Sequence, residues 1–151
     1  MNGRQTILLV DDSENDIFLM RMAFKKAEFN SSLQEVHNGE EAIAYLKGEA
    51  IYSDRNKYPL PSVMLLDLNM PMKNGFDVLS WVRTQPGLKH FSIIIMTASA
   101  RPEDVERAFD LGANSYLVKP SNLDDLAAMI RCLRDWIKIN HFPPLNNLVR
   151  R

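Results

Sequence analysis

Val63-Met64-Leu65-Leu66-Asp67 is a run of four apolar residues that ends at a carboxylate. A continuously apolar run that is too short for a surface helix predicts a strand buried on both faces. Three further apolar runs also end in polar groups: 7–10 before Asp11 and Asp12, 93–96 before Thr97, and 116–118 before Lys119. The carboxyl ends of parallel strands lie at one edge of a sheet, which is where ligands bind in open α/β sheets. We therefore expect one site at that edge, built from acids and one lysine.

Helical patterns alternate with these strands, and residues 33–36 supply a further short strand, the second along the chain. The predicted helices begin at capping or first-turn signals, namely Ser13 with Asp16, Asn38 with Glu41, Gly75 after a turn-rich segment, Pro102, and Asn122 with Asp125. Five strands that alternate with five helices through right-handed crossovers predict a three-layer α/β fold of the flavodoxin-like (βα)5 type, with a parallel sheet in the order 2-1-3-4-5. In this order the first and third strands are neighbours, so Asp11, Asp12 and Asp67 should meet.

Three finer features are also predicted. Val105, Ala108 and Phe109 share one side of the fourth helix and should face the sheet. The single cysteine, Cys132, falls in the amphipathic pattern of the fifth helix, which favours a buried thiol over a nucleophile. The Lys119–Pro120 bond should be cis, because the chain must turn sharply there to direct the lysine inward and a bond to proline makes the cis form accessible.

The composition is that of one globular domain, since 46% of the 151 residues are hydrophobic and 25% are charged. A net charge of −1 provides no basic surface for nucleic acid, and no apolar stretch reaches the length of a membrane span. The first residues lack the apolar region and the small-residue cleavage site of a secretion signal. We therefore expect a cytoplasmic protein that binds neither nucleic acid nor membrane.

The predicted cluster of Asp11, Asp12 and Asp67 requires a counter-charge. Carboxylates within a few ångströms of one another repel, so they either take up protons or share a cation. Oxygen ligands suit Mg²⁺, which proteins commonly hold with one or two carboxylates and a phosphate oxygen. Lys119 can neutralise a phosphoryl oxygen, and the Thr97 hydroxyl can donate to another. Asp67 is central on the third strand and is therefore the candidate phosphoacceptor, since carboxylates form acyl phosphates.

Five short motifs occur in a fixed order along the chain: Leu9-Val10-Asp11-Asp12, Leu66-Asp67-Leu68-Asn69-Met70-Pro71, Gly75, Thr97-Ala98 and Lys119-Pro120. Each is weak by itself, because an isolated aspartate before a helix is usually a solvated turn residue or a cap, and an isolated lysine usually lies on the surface. Together, at the ends of the first, third, fourth and fifth strands, they are specific. In this order the chain resembles the receiver domain of two-component response regulators.

The resemblance implies the chemistry of the site. Asp67 would accept a phosphoryl group from the phosphohistidine of a sensor histidine kinase in a phosphorelay. Mg²⁺ would be held by Asp12, Asp67 and the backbone carbonyl of Asn69, and Asp11 would support the ion directly or through water. The protein would thus be a phosphoprotein of signal transduction and not an enzyme, with at most slow self-dephosphorylation.

The resemblance also implies a switch. Thr97 and Lys119 would hold the phosphoryl oxygens, and Tyr116 matches the aromatic residue that turns inward when the threonine hydroxyl is drawn to the phosphate. The signal would then leave through the surface of the fourth helix, the fifth strand and the fifth helix.

The expected organisation is a receiver domain over residues 1–140 and a short tail over 141–151, with no room for a DNA-binding output domain. A stand-alone receiver would act by docking on partners or by relaying phosphate. The long loop over residues 47–61 and the segment Trp136-Ile137-Lys138 are similar to the small regulators that serve phytochrome-type sensor histidine kinases. In that group the fourth helix, the fifth strand and the fifth helix can form a homodimer face to which the tail contributes, and Trp136, Ile139 and Phe142 motivate the same hypothesis here.

Two other classes compete with this interpretation. An Mg²⁺-dependent aspartyl-phosphate phosphohydrolase would use the same nucleophile, but it needs a second aspartate two residues later as general acid, and that position is Asn69. A flavin-binding module would need a loop rich in glycine and hydroxyl groups after the first strand, where this chain has Asp11 and Asp12. The three histidines are scattered without the spacing of metal ligands.

Overall fold

The central sheet contains five parallel strands in the order β2-β1-β3-β4-β5. A computed structural model describes residues 5–144 and assigns the strands to β1 Thr6–Val10, β2 Ser32–Val36, β3 Val63–Leu66, β4 Ser92–Thr97 and β5 Ser115–Val118. β3 pairs with β1 and β4 on its two sides, and all four of its side chains are fully buried. The predicted fold class and strand order are confirmed.

Five helices alternate with the strands: α1 Glu14–Lys26, α2 Gly39–Lys47, α3 Gly75–Thr84, α4 Pro102–Asp110 and α5 Leu123–Ile139. Four of them begin at side chains that accept a hydrogen bond from a backbone amide in the first turn, and these caps are Ser13, Asn38, Asn74 and Asn122. Such a bond satisfies one of the amides that a helix leaves without a partner at its start. No helix within residues 5–144 has both the length and the apolar character needed to cross a bilayer.

The sheet separates two hydrophobic layers. Side chains alternate along each strand, so Leu8 and Val10 of β1 pack towards α2, α3 and α4, whereas Ile7 and Leu9 pack towards α1 and α5. Burial on both faces explains why β1, β3 and β4 carry continuous apolar runs in sequence. The helices cover the faces of the sheet and leave the carboxyl ends of the strands free to form a site.

The loop between α2 and β3 folds back onto α2. Its aromatic side chains Tyr52 and Tyr58 pack on the buried ring of Tyr45, with ring centroids 5.0 and 6.0 Å away. Arg55 Nη1 donates to the carbonyl of Tyr45 at 2.8 Å, and Arg55 Nη2 donates to that of Leu46 at 3.1 Å, which satisfies carbonyls at the end of the helix. This loop leads into the amino end of β3, away from the predicted site.

The finer predictions are wrong at three points, although Ala108 is buried as expected. Phe109 is 48% exposed, because α4 meets the core at Ala108 and the next side chain is rotated by about 100° around the helix. Cys132 is exposed, since α5 presents Leu133 to the core. Within residues 5–144 no peptide bond is cis, so the Lys119–Pro120 bond is trans. The Lys119 amide still donates to the Thr97 carbonyl at 2.8 Å, and this extended backbone directs the lysine without a cis bond.

Candidate functional site

The carboxyl edge of the sheet positions the site residues through backbone hydrogen bonds. The Asp11 amide donates to the Val36 carbonyl at 3.2 Å, and the Asp67 amide donates to the Val10 carbonyl at 3.0 Å. Both bonds continue the strand pairing one residue beyond β1 and β3. The two aspartates are therefore held by the sheet itself, which is more rigid than a free loop.

Asp11, Asp12 and Asp67 come together as predicted. Each offers a carboxylate oxygen, and these oxygens lie within 4.8 Å of one another. Asp11 and Asp67 are buried, whereas Asp12 is exposed. Burial raises the pKa of Asp11 above its ordinary value, although the Lys119 ammonium and the Ser13 amide act in the opposite direction. An all-oxygen cluster with one solvent-facing member can hold a hard divalent cation.

Lys119 contacts two members of the acidic cluster and one further acid. Its Nζ donates to Asp11 Oδ2 at 2.6 Å, to Asp16 Oδ2 at 2.9 Å and to Asp67 Oδ2 at 3.5 Å. Burial by itself lowers the pKa of Lys119. The hydrogen bond to Asp11 and the charges of Asp67 and Asp11 raise it by more than this, so that the pKa lies above its usual value. The lysine is therefore a fixed positive charge beside Asp67.

Asp16 is the site residue that the sequence did not reveal. Its backbone amide donates to the Ser13 hydroxyl at 3.2 Å, as the predicted helix cap requires. The cap leaves the Asp16 carboxylate free, and this carboxylate reaches Lys119. An acid in the first turn of a helix that starts at the site edge was the available signal, but its ordinary explanation is stabilisation of the helix amino terminus.

Thr97 and Asn69 lie beside Asp67. Thr97 is fully buried at the end of β4, and Asn69 Nδ2 donates to its Oγ1 at 3.4 Å. The Asn69 amide donates to Asp67 Oδ1 at 3.3 Å, so the segment after β3 turns back over the Asp67 carboxylate. Asn69 itself is exposed, which leaves its side of the cluster open to solvent.

Tyr116 contacts the loop that follows β4. Its hydroxyl donates to the Ser99 carbonyl at 2.9 Å, and burial raises the pKa of this phenol. Ser99 Oγ in turn donates to Asp104 Oδ2 at 2.6 Å in the first turn of α4. The tyrosine is thus connected through Ser99 to α4 and sits two strands away from Asp67.

The segment between β3 and α3 is packed tightly against two glycines. A Cβ on Gly75 would lie 2.3 Å from the Asp67 carbonyl oxygen, and a Cβ on Gly39 would lie 2.5 Å from the Lys73 carbonyl oxygen. The Gly75 amide also donates to the Leu68 carbonyl at 3.1 Å. These close approaches fix the backbone that carries Asp67 and Asn69.

The sequence and structure match known proteins over nearly the whole chain. The family model for the response regulator receiver domain covers residues 7–131. The response regulator Rcp1 of Synechocystis sp. is 33% identical over 143 residues, which are 94% of this chain and 95% of that protein. Neither the phosphohydrolase nor the flavin interpretation is favoured by these matches.

Solved structures give the same result. The phosphorylated cyanobacterial phytochrome response regulator RcpA has a TM-score of 0.85 and 29% identity, over 94% of this chain and 100% of that chain. The Mn²⁺-bound form of Rcp1 has a TM-score of 0.80 and 33% identity, over 93% of this chain and 99% of that chain. The chain therefore belongs to the response regulator receiver domain family, and it is a phosphoacceptor of two-component signalling.

Proposed function

We propose that the protein is a stand-alone switch in which Asp67 accepts a phosphoryl group from a sensor histidine kinase. The observation that carries the proposal is the position of this carboxylate. It is buried, it shares a cluster with Asp11 and Asp12, and it lies 3.5 Å from Lys119 Nζ. These neighbours give a nucleophilic oxygen both a place for a divalent cation and a fixed positive charge.

In the proposed transfer, an Asp67 carboxylate oxygen attacks the phosphorus of a phosphohistidine. The new O–P bond forms as the N–P bond breaks, and the imidazole nitrogen leaves with the electron pair of that bond. The product is an acyl phosphate on Asp67. Lys119 is already aimed at the acceptor and would hold one phosphoryl oxygen, and the Thr97 hydroxyl would donate to another.

The residues present fit Mg²⁺, because every candidate ligand atom is a hard oxygen. Asp12, Asp67 and the backbone carbonyl of Asn69 would hold the ion, with Asp11 in support. When bound, Mg²⁺ neutralises part of the charge on the transferring phosphoryl group. The Mn²⁺ found in Rcp1 supports this assignment, since Mn²⁺ and Mg²⁺ favour the same oxygen ligands.

The proposal limits the chemistry to gain and slow loss of phosphate. A phosphohydrolase needs a proton donor for its leaving group, and Asn69 stands where that acid would be. When the donor is a phosphohistidine, the leaving group is the imidazole of the kinase, and this group does not need an acid from this protein in order to depart. We therefore interpret the site as a switch and not as an enzyme.

The proposed output surface is formed by α4, β5 and α5. Four large apolar side chains are exposed on these elements, and they are Phe109 at 48%, Val118 at 41%, Trp136 at 38% and Ile139 at 78%. We propose that a second copy of this chain covers part of this surface. Phe142 packs edge-on against Trp136 with ring centroids 5.7 Å apart, so the chain after α5 adds to the same apolar surface.

Light scattering with and without beryllofluoride, an acyl-phosphate mimic, tests the dimer. A dimer in either state supports the proposal, and a monomer in both states removes it. Trp136→Ala should shift the equilibrium towards monomer, because truncation removes the largest side chain of the patch.

The proposed partner is a phytochrome-type sensor histidine kinase, since the matched relatives include a phytochrome response regulator. We propose a receiver domain over residues 1–140 with a tail over 141–151; residues 145–151 lie outside the described part of the chain. The proposed location is the cytoplasm, where the ATP that charges a sensor kinase is found.

Labelling by acetyl phosphate in the presence of Mg²⁺ tests the central assignment. Intact mass spectrometry should detect one phosphoryl group on the parent protein and none on Asp67→Asn. Asp110→Asn, which changes an exposed aspartate at the end of α4, should label like the parent. Persistent labelling of Asp67→Asn would refute the assignment of the acceptor.

A further inference from the structure

Asp16 adds a fourth carboxylate to the site without joining the acidic cluster. Its Oδ2 accepts from Lys119 Nζ at 2.9 Å, a normal distance for a charge-assisted hydrogen bond. Within the described residues, the group of acids whose oxygens converge is Asp11, Asp12 and Asp67, and Asp16 is not part of it. Its carboxylate therefore contacts the lysine from outside the proposed metal site.

We propose that Asp16 is a positioning residue that holds the Lys119 ammonium aimed at Asp67, so that the lysine meets a phosphoryl oxygen without rearrangement. This inference rests on the proposed function of Asp67. It assigns to α1 a part in phosphoryl binding that acts through Lys119, in addition to its packing against the sheet.

The hydrogen-bond capacity of lysine supports this role. An ammonium has three N–H donors, and here they are directed at Asp11, Asp16 and Asp67. The bonds to Asp11 and Asp16 are short, at 2.6 and 2.9 Å, whereas the contact with Asp67 is long, at 3.5 Å. Two short bonds fix the direction of the third donor, and that donor can shorten its contact once a phosphoryl oxygen extends from Asp67.

Asp11 cannot serve this purpose alone. It belongs to the acidic cluster, so a bound cation would take part of its electron density and compete with Lys119 for its oxygens. Asp16 is free of that competition. It is therefore the acceptor that keeps the lysine in place when the cluster is loaded.

The backbone of Asp16 is fixed well enough for this task. Its amide is bonded to the Ser13 hydroxyl at 3.2 Å, and the Ser13 amide donates to Asp11 Oδ1 at 2.9 Å. The next residue, Ile17, is completely buried. The turn that presents Asp11 thus also presents Asp16, and the two carboxylates approach Lys119 as one unit.

A purely structural role for Asp16 makes a different prediction. An acid in the first turn stabilises a helix through its dipole, and Glu14 lies in the same turn of α1. Glu14 is exposed and contacts His37, not Lys119. Glu14→Gln is therefore a matched control that removes the same charge from the same helix end and leaves the lysine untouched.

The test compares beryllofluoride binding at saturating Mg²⁺ in the parent, Asp16→Ala, Asp16→Asn and Glu14→Gln, by titration calorimetry on the full chain. We expect Asp16→Ala to weaken beryllofluoride affinity about tenfold, which corresponds to about 1.4 kcal/mol. Asp16→Asn should lose less, because its amide oxygen still accepts a hydrogen bond. Glu14→Gln should bind beryllofluoride like the parent. In the Asp16 variants, the Mg²⁺ affinity measured without beryllofluoride should change by less than about threefold, because the partly exposed Asp16 charge lies outside the cluster and is screened.

Unchanged beryllofluoride affinity in Asp16→Ala would overturn the inference, as would an equal loss in Glu14→Gln. If Asp16→Ala does not fold, Asp16→Asn and Asp16→Ser are compared with the parent, and full beryllofluoride affinity in both variants would overturn the inference. A parent that binds beryllofluoride with Mg²⁺ separates these outcomes from a failure of the Asp67 assignment, which would abolish binding in every variant.

Discussion

Replacing Gly75 by alanine should destabilise the protein and disturb Asp67, the proposed phosphoacceptor. An added Cβ would lie 2.3 Å from the Asp67 carbonyl oxygen and 2.8 Å from the Leu68 Cα. Both are backbone atoms, so no side-chain rotation relieves the contact. The segment after β3 would have to move by about 1 Å to restore ordinary van der Waals separation, and this movement would carry the Asp67 backbone with it.

Three contributions determine how much the free energy of unfolding falls in Gly75→Ala. Overpacking costs up to about 3 kcal/mol, and weakening the bond from the Gly75 amide to the Leu68 carbonyl adds about 1 kcal/mol. The lower entropy of the unfolded alanine chain returns up to about 1 kcal/mol. The net loss is about 3 kcal/mol, which for a domain of this size lowers the unfolding temperature by roughly 6 to 12 °C.

Thermal unfolding followed by circular dichroism measures this shift, and acetyl phosphate labelling with Mg²⁺ should slow in parallel. Gly87→Ala is the control, because Gly87 is exposed and its φ is not positive, so the change should alter stability by less than about 0.5 kcal/mol. A Gly75→Ala variant as stable as Gly87→Ala would refute the reasoning from the close contact.

Three further predictions address the cation, the switch and the aromatic loop. Mg²⁺ at about 100 times its dissociation constant should stabilise the parent by about 2.7 kcal/mol in chemical unfolding, and Asp12→Asn should lose most of this gain; equal stabilisation of both proteins would contradict the proposed site. Tyr116→Phe removes the 2.9 Å bond to the Ser99 carbonyl and should cost about 1 kcal/mol in urea unfolding while acetyl phosphate still labels Asp67. Burial raises the pKa of the Tyr45 phenol. The stability that the neutral phenol contributes is therefore complete below the ordinary pKa of about 10 and is lost as the pH rises above that value. In urea unfolding across that range, Tyr45→Phe should lose less stability with rising pH than the parent does, and an identical pH dependence of the two proteins would exclude this cause.

Strand ends and helix starts could be predicted because both depend on local rules. The polar residues that follow buried runs lie at the carboxyl edge, where Asp11, Asp67 and Lys119 meet. The cap of α5 likewise forms as expected, with Asn122 accepting from the Asp125 amide at 2.8 Å. A strand that is buried on both faces has few alternative positions, so its sequence determines where its end lies.

Long-range contacts and the phase of helices could not be read in the same way. Asp16 and Lys119 are 103 positions apart, and the helix cap already explained an acid at this place. Cys132 precedes the buried Leu133, and an amphipathic pattern alone does not decide which neighbour faces the core. In the structure α5 packs beside α1 and leaves a groove along β5, lined by Met129, Cys132 and other side chains, so the thiol is exposed.

The hydrogen bonds that hold α4 and β5 in place differ in strength between the amino and the carboxyl edge of the sheet. At the amino end of β5, Arg83 donates to the Gly112 carbonyl and to Asn114 Oδ1, both at 2.9 Å. Burial lowers the pKa of this guanidinium, which nevertheless remains charged and makes several such bonds.

At the carboxyl edge of the sheet, two hydrogen bonds connect the first turn of α4 to β5. The Tyr116 hydroxyl donates to the Ser99 carbonyl, and the Ser99 hydroxyl donates to the Asp104 carboxylate. The bond from Tyr116 to the Ser99 carbonyl joins two neutral groups and is therefore weaker than the bonds from a charged guanidinium. We expect a change of charge at Asp67 to meet least resistance at this bond. Tyr116→Phe acts on this weaker attachment. That is the physical reason to expect the variant to alter the response to phosphorylation while leaving the acceptor chemistry of Asp67 intact.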